Sequence, residues 1–265
     1  MIAYPDIDPI AVSLGPIAIH WYGLMYLIGF VSAYYLGVYR AKRSDGLWTS
    51  EQVSDMIFYG AMGVILGGRI GYILFYQFPS FLDNPLMLFR IWEGGMSFHG
   101  GLLGVIFAMW MFARKTKKHT IDILDFVAPF VPIGLGLGRL GNFIGGELWG
   151  KPTDVSWAMI FPGDPLQLTR HPSQLYQFAL EGVALFAILW FFSQKQKPRY
   201  CVSGMFLLFY GIFRILVEFV REPDPQLGYI AFGWLTQGQI LSTPMVLLGV
   251  GLLIVGYKLQ RYPQK

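Results

Sequence analysis

The stretch that decides the fold is "FVAPFVPIGLGLGRLGNFIGGELWG", residues 126–150. It begins as an apolar run and continues into a glycine-rich segment that carries Arg139, Asn142 and Glu147. The letters GLGRLG at 136–141 match the dinucleotide fingerprint G-x-G-x-x-G, which acts only within a strand–turn–helix unit. No βαβ pattern surrounds them here, whereas a long apolar segment does. The stretch therefore predicts a polar site within a membrane and excludes the phosphate loop of a soluble enzyme.

The composition of the whole chain agrees with a membrane location. Of its 265 residues 54% are hydrophobic and 14% are charged, against about 25% charged in an ordinary soluble domain. Several apolar segments approach about 20 residues, the length that a helix needs to cross a bilayer. The sequence predicts an all-α, polytopic protein, with residues 1–265 forming a single integral membrane domain. Its seven predicted transmembrane helices cover approximately residues 17–38, 56–77, 97–113, 121–144, 175–193, 202–220 and 238–257.

The distribution of cations predicts the orientation of these helices. On one side the flanking cations are Arg40, Lys42, Arg43, Arg114, Lys115, Lys117, Lys118, Lys195, Lys197, Arg199, Lys258, Arg261 and Lys265. On the other side they are Arg90, Lys151, Arg170 and Arg221. Because cytoplasmic loops carry the excess of Lys and Arg, the N-terminus is expected outside and the C-terminus in the cytoplasm. The longest connection, about 145–174, then forms a small outward-facing cap. The basic residues serve topology, so the net charge of +4 does not predict a nucleic-acid partner.

Three arginines remain inside the predicted spans: Arg69, Arg139 and Arg214. Placing a cation at membrane depth costs about 2.5–3.5 kcal/mol even on the lenient insertion scale, so each arginine requires a partner, water or an anionic ligand. Around Arg69, glycines recur every four residues at 63, 67 and 71. That spacing lets another helix approach closely. We interpret this segment as a helix-packing site with Arg69 paired internally.

Arg214 lies in "YGIFRILVEFVRE", residues 210–222. Tyr210, Arg214, Glu218 and Arg221 are spaced by four, four and three residues, which places them on one helical face. At 1.5 Å per residue from an inner edge near 202, Arg214 lies about 18 Å and Arg221 about 29 Å along the span. One interpretation is an internal ion pair through Glu218. The other is an anion site, because two arginines and one glutamate leave a net positive stripe.

At the same rise of about 1.5 Å per residue, Arg139 lies about 27 Å above an inner edge near 121, in the outer half of the membrane. Pro129, Pro132 and the neighbouring glycines are expected to loosen the helix and expose backbone N–H groups near Arg139. Broken backbone at membrane depth is tolerated only where it is packed in protein or lines a wet cavity. Asn142 follows within one turn, and Glu147 is able to orient an arginine or bind a hydroxyl. The alternative is a polar helix cap at the interface.

A third polar cluster is "EGGMSFHGGLLG", residues 93–104. His99 lies there between glycine pairs, and histidine exchanges a proton near neutral pH. The alternative is a hydrogen-bonded structural histidine.

In "RHPSQLY", residues 170–176, Pro172–Ser173 is typical of a helix start and no serine-hydrolase arrangement is evident. No closely spaced set of metal ligands is present, so metal catalysis is not expected.

From the residues alone we infer a membrane cavity that opens toward the outer leaflet and is lined by arginines. Guanidinium groups bind phosphate through two parallel hydrogen bonds, so an anionic lipid headgroup is the expected ligand. These observations do not identify a reaction. A transporter or flippase for an anionic lipid or solute would use the same arginines, although no internal repeat typical of many transporters is visible. A purely structural role would not explain three arginines whose placement at membrane depth is costly.

Six blocks of the sequence carry a resemblance to a known family. They read "HWYGLMYLIGF", "GGRIGYILFY", "GGMSFHGGLLG", "GRLGNFIGGELWG", "RHPSQLYQ" and "YGIFRILVEFVREPD". In this order they resemble the bacterial prolipoprotein diacylglyceryl transferases, over nearly the whole chain. One departure is Gly145, where the family usually has asparagine, so any hydrogen bond of that side chain is absent here.

The resemblance implies transfer of the diacylglyceryl group of phosphatidylglycerol to the lipobox cysteine of a prolipoprotein, with release of glycerol phosphate. It implies no cofactor, a multi-pass location in the bacterial inner (cytoplasmic) membrane, and a site facing the outer leaflet. The partners are then phosphatidylglycerol and the prolipoprotein signal peptide. The expected catalytic residues are His99, Arg139 and Arg214. The expected substrate-binding residues are Tyr22, Arg139, Asn142, Glu147, Tyr210, Arg214, Glu218 and Arg221.

Overall fold

The computed structural model describes residues 2–5, 7–15, 17–90, 94–223 and 228–263. The chain divides into two compact units, which are described separately. The first unit consists of Met1–Ala33 and Asp125–Tyr262, and the second of Tyr34–Leu124 and Pro263–Lys265. Glu93, the first residue of the predicted third cluster, lies outside the described residues, as does Lys265.

Helices form 65% of the structure, which confirms the all-helical class. The N-terminal part contains β1 (Ile10–Leu14), β2 (Ile17–His20), α1 (Trp21–Lys42), α2 (Ser50–Tyr76), α3 (Phe78–Asp83), a 3₁₀ helix (Pro85–Phe89) and α4 (Phe98–Thr116). The remainder contains α5 (Thr120–Val127), α6 (Val131–Ile144), β3 (Met159–Ile160), β4 (Thr169–Arg170), α7 (Ser173–Gln177), a π-helical segment (Phe178–Ala184), α8 (Leu185–Phe192), α9 (Cys201–Glu218) and α10 (Gln237–Leu259).

Five helices of the described chain are long and apolar enough to cross a membrane: α1, α2, the continuous helix Ser173–Phe192, α9 and α10. The pair α5 and α6 is a sixth candidate, bent by 49° at the break between them. The predicted span 97–113 forms the 19-residue helix α4, but this helix is not among those apolar enough to cross a membrane. Any 18 consecutive residues of α4 include the polar side chains of His99, Arg114 and Lys115. The structure therefore supports five or six spans where the sequence predicted seven.

Two local predictions are wrong. The first four residues of the predicted span 17–38 form strand β2, which pairs antiparallel with β1. The connecting turn contains Gly15 at φ 60°, a left-handed conformation that glycine adopts without steric cost. The helix around Arg139 is not loosened either, because α6 is continuous from Val131 to Ile144. The break lies earlier, between α5 and α6, and Pro132 occupies the first turn of α6, where proline is tolerated.

In the second unit, α2 and α4 pack with their backbones in contact. A Cβ added at Gly63 would lie 2.7 Å from the carbonyl oxygen of Gly104, and one at Gly71 would lie 2.7 Å from the Cα of Gly100. Gly67 meets the Cα of Gly104 at a similar 2.7 Å. Only glycine fits at such a crossing, so the predicted packing role of the glycines at 63, 67 and 71 is confirmed.

In the first unit, helices α6, Ser173–Phe192, α9 and α10 position the polar residues. A cluster of buried apolar side chains joins the break before α6 to the helix Ser173–Phe192 and to α9; it consists of Ala128, Leu185, Leu189 and Val202. Asp125 fixes the start of α9, because its carboxylate accepts hydrogen bonds from the backbone N–H groups of Tyr200 (2.9 Å) and Ser203 (2.8 Å). The helix that begins at Ser173 starts where the sequence predicted.

Candidate anion-binding site

Eight of the nine predicted site residues lie in the first unit, on α1, α6, the segment after α6, and α9 with its C-terminal extension. They are Tyr22, Arg139, Asn142, Glu147, Tyr210, Arg214, Glu218 and Arg221. The ninth, His99, lies in the second unit. The described ion pairs join four of the eight into one charged cluster that also contains Glu181: Arg139, Arg214, Glu218 and Arg221.

Glu218 is the centre of the ion pairs on α9. Its side chain is 1% exposed, and Arg214 Nη2 lies 2.6 Å from its Oε1. Arg221 Nη1 donates to the same oxygen at 3.3 Å, and the hydroxyl of Thr236 donates to Oε2 at 2.6 Å. The predicted shared face of Arg214, Glu218 and Arg221 is therefore confirmed, and so is the internal ion pair.

The carboxylate of Glu218 also faces the N-terminus of α10. Thr236 caps this helix in a capping box with Gln239. At Gly238 an added Cβ would lie 2.5 Å from the carboxyl carbon of Glu218, so no larger residue fits without displacing the carboxylate. Negative charge is favourable at a helix N-terminus. Helix α10 thus helps to hold the carboxylate of Glu218 in place.

Glu181, which the sequence analysis missed, lies between two of the predicted arginines. Its side chain is fully buried. Arg139 Nε is 3.7 Å from Glu181 Oε2, and Arg214 Nη1 is 3.8 Å from Oε1. Gln177 donates to Oε1 at 3.4 Å. Each carboxylate oxygen therefore faces one arginine, and Glu181 links Arg139 on α6 to Arg214 on α9.

The two linked arginines differ in exposure and in the atoms that face carboxylates. Both terminal nitrogens of Arg214 face the protein's own carboxylates. Arg139 approaches Glu181 through Nε, so among the described residues its Nη1/Nη2 fork has no ion pair. Its side chain is 22% exposed, against 15% for Arg214. Arg139 is therefore the better placed of the two to bind an anion.

Asn142 and Glu147 lie beside Arg139 and contact each other. The amide of Asn142 donates to Glu147 Oε1 at 2.7 Å, so the closest described partner of Glu147 is Asn142 and not Arg139. The ring of Tyr22 packs on α6 at Gly141, where an added Cβ would lie 2.8 Å from its Cδ2. The Tyr22 phenol lies within electrostatic range of both Glu147 and Arg139.

Tyr210 stands one helical turn before Arg214. Its ring stacks on Phe206, with the centroids 5.7 Å apart and the planes nearly parallel. Its phenol is within electrostatic range of Glu181, Arg214, Arg139 and Glu218. The structure thus places Tyr210 beside the charged cluster, as the sequence spacing predicted.

The segment that follows α6 is held to two other helices. Gln174 Nε2 donates to the carbonyl of Glu147 at 2.6 Å, and Ser173 Oγ donates to that of Leu148 at 3.0 Å. Gly150 forms an isolated β-bridge with Arg221. These contacts tie the end of α6 to the start of α7 and the end of α9, so Glu147 and Arg221 belong to one packed region.

Residues 145–174 contain a small sheet of β3 and β4 and a buried ion pair. Arg170 donates to both carboxylate oxygens of Asp164, at 2.6 Å from Nε and 3.1 Å from Nη2. This hydrogen bonding holds the pKa of Asp164 below its ordinary value. The pair therefore contributes stability at neutral pH and loses that contribution as the pH falls through the lowered pKa.

Arg69 and His99, in the second unit, have different surroundings. Arg69 is buried and donates to the backbone carbonyls of Met87, Gly94 and Gly95, which confirms the predicted internal pairing. His99 is exposed, at the first turn of α4, and its ring is perpendicular to that of Phe98.

A signal for Glu181 was present in the sequence. It is the single charged residue of the predicted span 175–193. Gln174, Gln177 and Glu181 are spaced by three and four residues, which is one helical face, and all three side chains are fully buried. A buried polar stripe on an apolar helix indicates partners on neighbouring helices.

The ion pairs of the cluster contain more cations than anions. Among the described residues, Arg139, Arg214 and Arg221 face Glu181 and Glu218, and the carboxylate of Glu147 lies nearby, bonded to Asn142. Guanidinium groups in a partly desolvated site bind phosphate strongly. The chemistry of this arrangement is suited to an anionic ligand.

Comparison with known proteins identifies the family. The family model of prolipoprotein diacylglyceryl transferase matches residues 9–255. The chain belongs to this family. The match covers both units and every residue of the charged cluster, and it agrees with the resemblance of the six sequence blocks.

Individual relatives of the family cover the chain almost completely. A phosphatidylglycerol–prolipoprotein diacylglyceryl transferase of Marinomonas sp. (strain MWYL1) is 80% identical over 100% of this chain and 98% of its own length. Proteins of the same name from Ectopseudomonas mendocina (strain ymp) and Pseudomonas fluorescens (strain SBW25) are 61% and 63% identical, over 98% and 97% of this chain and 98% and 96% of their own lengths.

Proposed function

We propose that this chain transfers the diacylglyceryl group of phosphatidylglycerol to the lipobox cysteine thiol of a prolipoprotein. Membership of the family and the names of its relatives support this activity. The structural observation that carries it is the Nη1/Nη2 fork of Arg139, which is partly exposed and has no ion pair among the described residues. That fork is complementary to the phosphate diester of phosphatidylglycerol, which carries one negative charge.

The product fixes which bond of the lipid breaks. In a thioether sulfur is bonded to carbon, so the thiolate attacks the glycerol carbon and the carbon–oxygen bond breaks. The electron pair of that bond leaves on the phosphate oxygen, and glycerol phosphate departs with one more negative charge than the diester had. Cations at the phosphate stabilise this developing charge. Transfer therefore requires no nucleophile of the enzyme and no ATP.

Arg139 binds the phosphate in this proposal, and Arg214 supports it from α9. Asn142 and Glu147 line the same pocket, and Tyr22, Tyr210 and Arg221 contact the lipid around the phosphate. Glu218 keeps Arg214 in place through their 2.6 Å ion pair. The guanidinium fork matches two phosphate oxygens at once, which a lysine does not.

The thiol must lose its proton to attack, because the thiolate is the nucleophile. We propose that His99 accepts this proton. Its side chain is exposed, and histidine is the residue type that exchanges protons near pH 7. The assignment rests on the family resemblance of the block around His99.

The proposed topology has seven transmembrane helices, including α4, with the N-terminus outside and the C-terminus in the cytoplasm. The excess of flanking Lys and Arg on one side supports this orientation. The chain then lies in the bacterial inner membrane as a single integral domain. Residues 145–174 form a cap on the outer side, and the site faces the outer leaflet, where the lipobox cysteine arrives.

The test is a direct transfer assay. Purified protein is mixed with phosphatidylglycerol labelled in its acyl chains and with a lipobox peptide. The expected result is a peptide with the mass of the thioether product, together with free glycerol phosphate. A peptide with serine in place of the cysteine is the matched control, because it has no thiol to alkylate. Movement of labelled lipid across vesicles without any lipidated peptide would instead support a flippase.

A further inference from the structure

Glu181 has an unusual place in the charged cluster. It is fully buried, yet its two arginine contacts are 3.7 and 3.8 Å long, beyond the usual hydrogen-bond range of about 2.7–3.2 Å. In the same cluster Arg214 and Glu218 are 2.6 Å apart. Glu181 therefore balances charge at a distance, without occupying the donors of Arg139 that a phosphate needs.

The backbone around Glu181 is specialised as well. The helix Ser173–Phe192 changes to a π-helical turn at Phe178–Ala184, and Glu181 lies at its centre. Such turns are rare and occur frequently at functional sites. The next residue, Gly182, meets Gly136 of α6 so closely that an added Cβ would lie 2.8 Å from the Gly136 Cα. This crossing is one helical turn from Arg139 and fixes the distance between Arg139 and Glu181.

The charge of the phosphate changes during the reaction proposed above. The diester substrate carries one negative charge, whereas a phosphate monoester carries about −1.5 to −2 at pH 7. The carboxylate of Glu181 offsets one positive charge beside Arg139 and Arg214. With a neutral side chain at position 181, the same two arginines would bind the more highly charged monoester product more tightly.

We propose that Glu181 is a positioning and charge-balancing residue that promotes release of the glycerol phosphate product. This inference rests on the proposed transferase function. The buried carboxylate repels the extra negative charge that the leaving group acquires, so the product is bound less tightly than an uncompensated arginine cluster would bind it. Arg139 and Arg214 still stabilise the charge as it develops.

The test compares the parent with Glu181→Gln in binding two water-soluble probes. One is glycerol phosphate, the monoester product, and the other is glycerophosphoglycerol, the deacylated diester headgroup. In the Gln variant we expect the inhibition constant of the monoester to fall by about tenfold or more, because one like charge is removed at short range in a site of low dielectric constant. The inhibition constant of the diester should fall less, because the diester carries less negative charge. Glu181→Asp keeps the charge and should resemble the parent.

Kinetics separate this role from a structural one. We expect the ratio of the multiple-turnover rate to the single-turnover rate to fall in Glu181→Gln, because the product stays bound. Glu222→Gln is the matched control, since it removes a negative charge that pairs with Arg170 of the cap and should leave product binding unchanged. A Gln variant with slower single turnovers and unchanged monoester binding would overturn the proposal.

A measurement on the parent alone also tests the inference, in case the Gln variant fails to fold. The parent should bind the diester probe at least as tightly as the monoester. Much tighter binding of the monoester would overturn the role of Glu181. A parent that lipidates no peptide and binds neither probe would instead contradict the proposed function itself.

Discussion

At the scale of single residues, the three arginines of the apolar segments are stabilised in two different ways. Arg69 donates to backbone carbonyls of its own unit, so its hydrogen bonds hold the fold. Arg139 and Arg214 face carboxylates that are themselves fully buried. Only the second arrangement brings side chains of opposite charge together inside the protein.

Substitution of Arg139 tests the phosphate role. We expect Arg139→Ala to insert and fold, because removing a charge from an apolar segment does not penalise insertion. Transfer should be lost, and Arg139→Lys should recover little, since an ammonium lacks the bidentate fork. The measurements are phosphatidylglycerol binding and peptide lipidation, with a thermal melt as the folding control. A folded Ala variant that binds and transfers like the parent would show that Arg139 is structural.

Substitution of His99 tests the proton acceptor. We expect His99→Gln to fold and to bind lipid normally, because His99 is exposed. Its transfer rate should drop by about 10²–10⁴-fold, the usual cost of losing a general base. The rate is measured at saturating lipid and peptide. Near-normal turnover would remove His99 from the proton transfer.

At the scale of elements, α9 and α10 share Glu218. The carboxylate receives Arg214 and Arg221 from its own helix and Thr236 from the N-terminus of α10. Removing a buried carboxylate with this many partners is costly, because the partners lose their acceptor. Glu218 thus links the position of Arg214 to the junction of two helices.

Two variants test this link. Glu218→Gln should slow transfer, because Arg214 loses the ion pair at 2.6 Å that holds it. Arg214→Lys should not restore the activity of the parent, since an ammonium cannot face Glu181 and Glu218 with two fixed nitrogens. Both are measured in the peptide lipidation assay. If lysine at 214 works as well as arginine, the planar fork is not required there.

The crossing of α6 with the π-helical turn is a second element-scale feature. An added Cβ at Gly136 would lie 2.9 Å from the Gly182 Cα, whereas at Gly138 nothing lies within 4 Å. Gly136→Ala should therefore lower stability by about 1–3 kcal/mol through overpacking and should reduce transfer, because Arg139 moves away from Glu181.

The same helix offers the matched control. Gly138→Ala should be neutral or stabilising, by up to about 1 kcal/mol, because alanine is the better helix former. Unfolding in denaturant and the lipidation rate are compared for the two variants. Equal effects at both positions would mean that the contact between Gly136 and Gly182 does not control the site.

At the scale of the whole molecule, the apolar helices make this a membrane protein, with five or six helices able to span the bilayer. The charged cluster lies entirely within the first of the two compact units. The cluster is therefore assembled from α6, the helix Ser173–Phe192, α9 and the N-terminus of α10, which follow one another in the second half of the chain.

Reporter fusions test the proposed orientation. A reporter active only in the cytoplasm should be active when fused after Lys117 and silent when fused near Asp164. The expectation follows from the cations at Arg114, Lys115, Lys117 and Lys118, which favour the cytoplasmic side. An active fusion near Asp164 would reverse the topology and place the site on the wrong side for an outer-leaflet lipid.

Features that depend on neighbours in sequence were predictable. The glycines at 63, 67 and 71 recur with the helical repeat, and they form the predicted helix contact. Arg214 and Glu218 are four residues apart and form the predicted ion pair. Partners across helices were not predictable. Glu147 was the acid expected near Arg139, but it binds Asn142, and the ion pair of Arg139 is with Glu181.

The sequence by itself determined the helical membrane class, the family and the set of arginines that need partners, because hydropathy, local spacing and motif order are properties of the linear chain. The tertiary structure decided which carboxylate balances which arginine. Electrostatic energy depends on the distance between charges, and the distance from Arg139 to Glu181 is set by the glycine crossing of two helices far apart in sequence. Side-chain spacing along one helix contains no information about that distance.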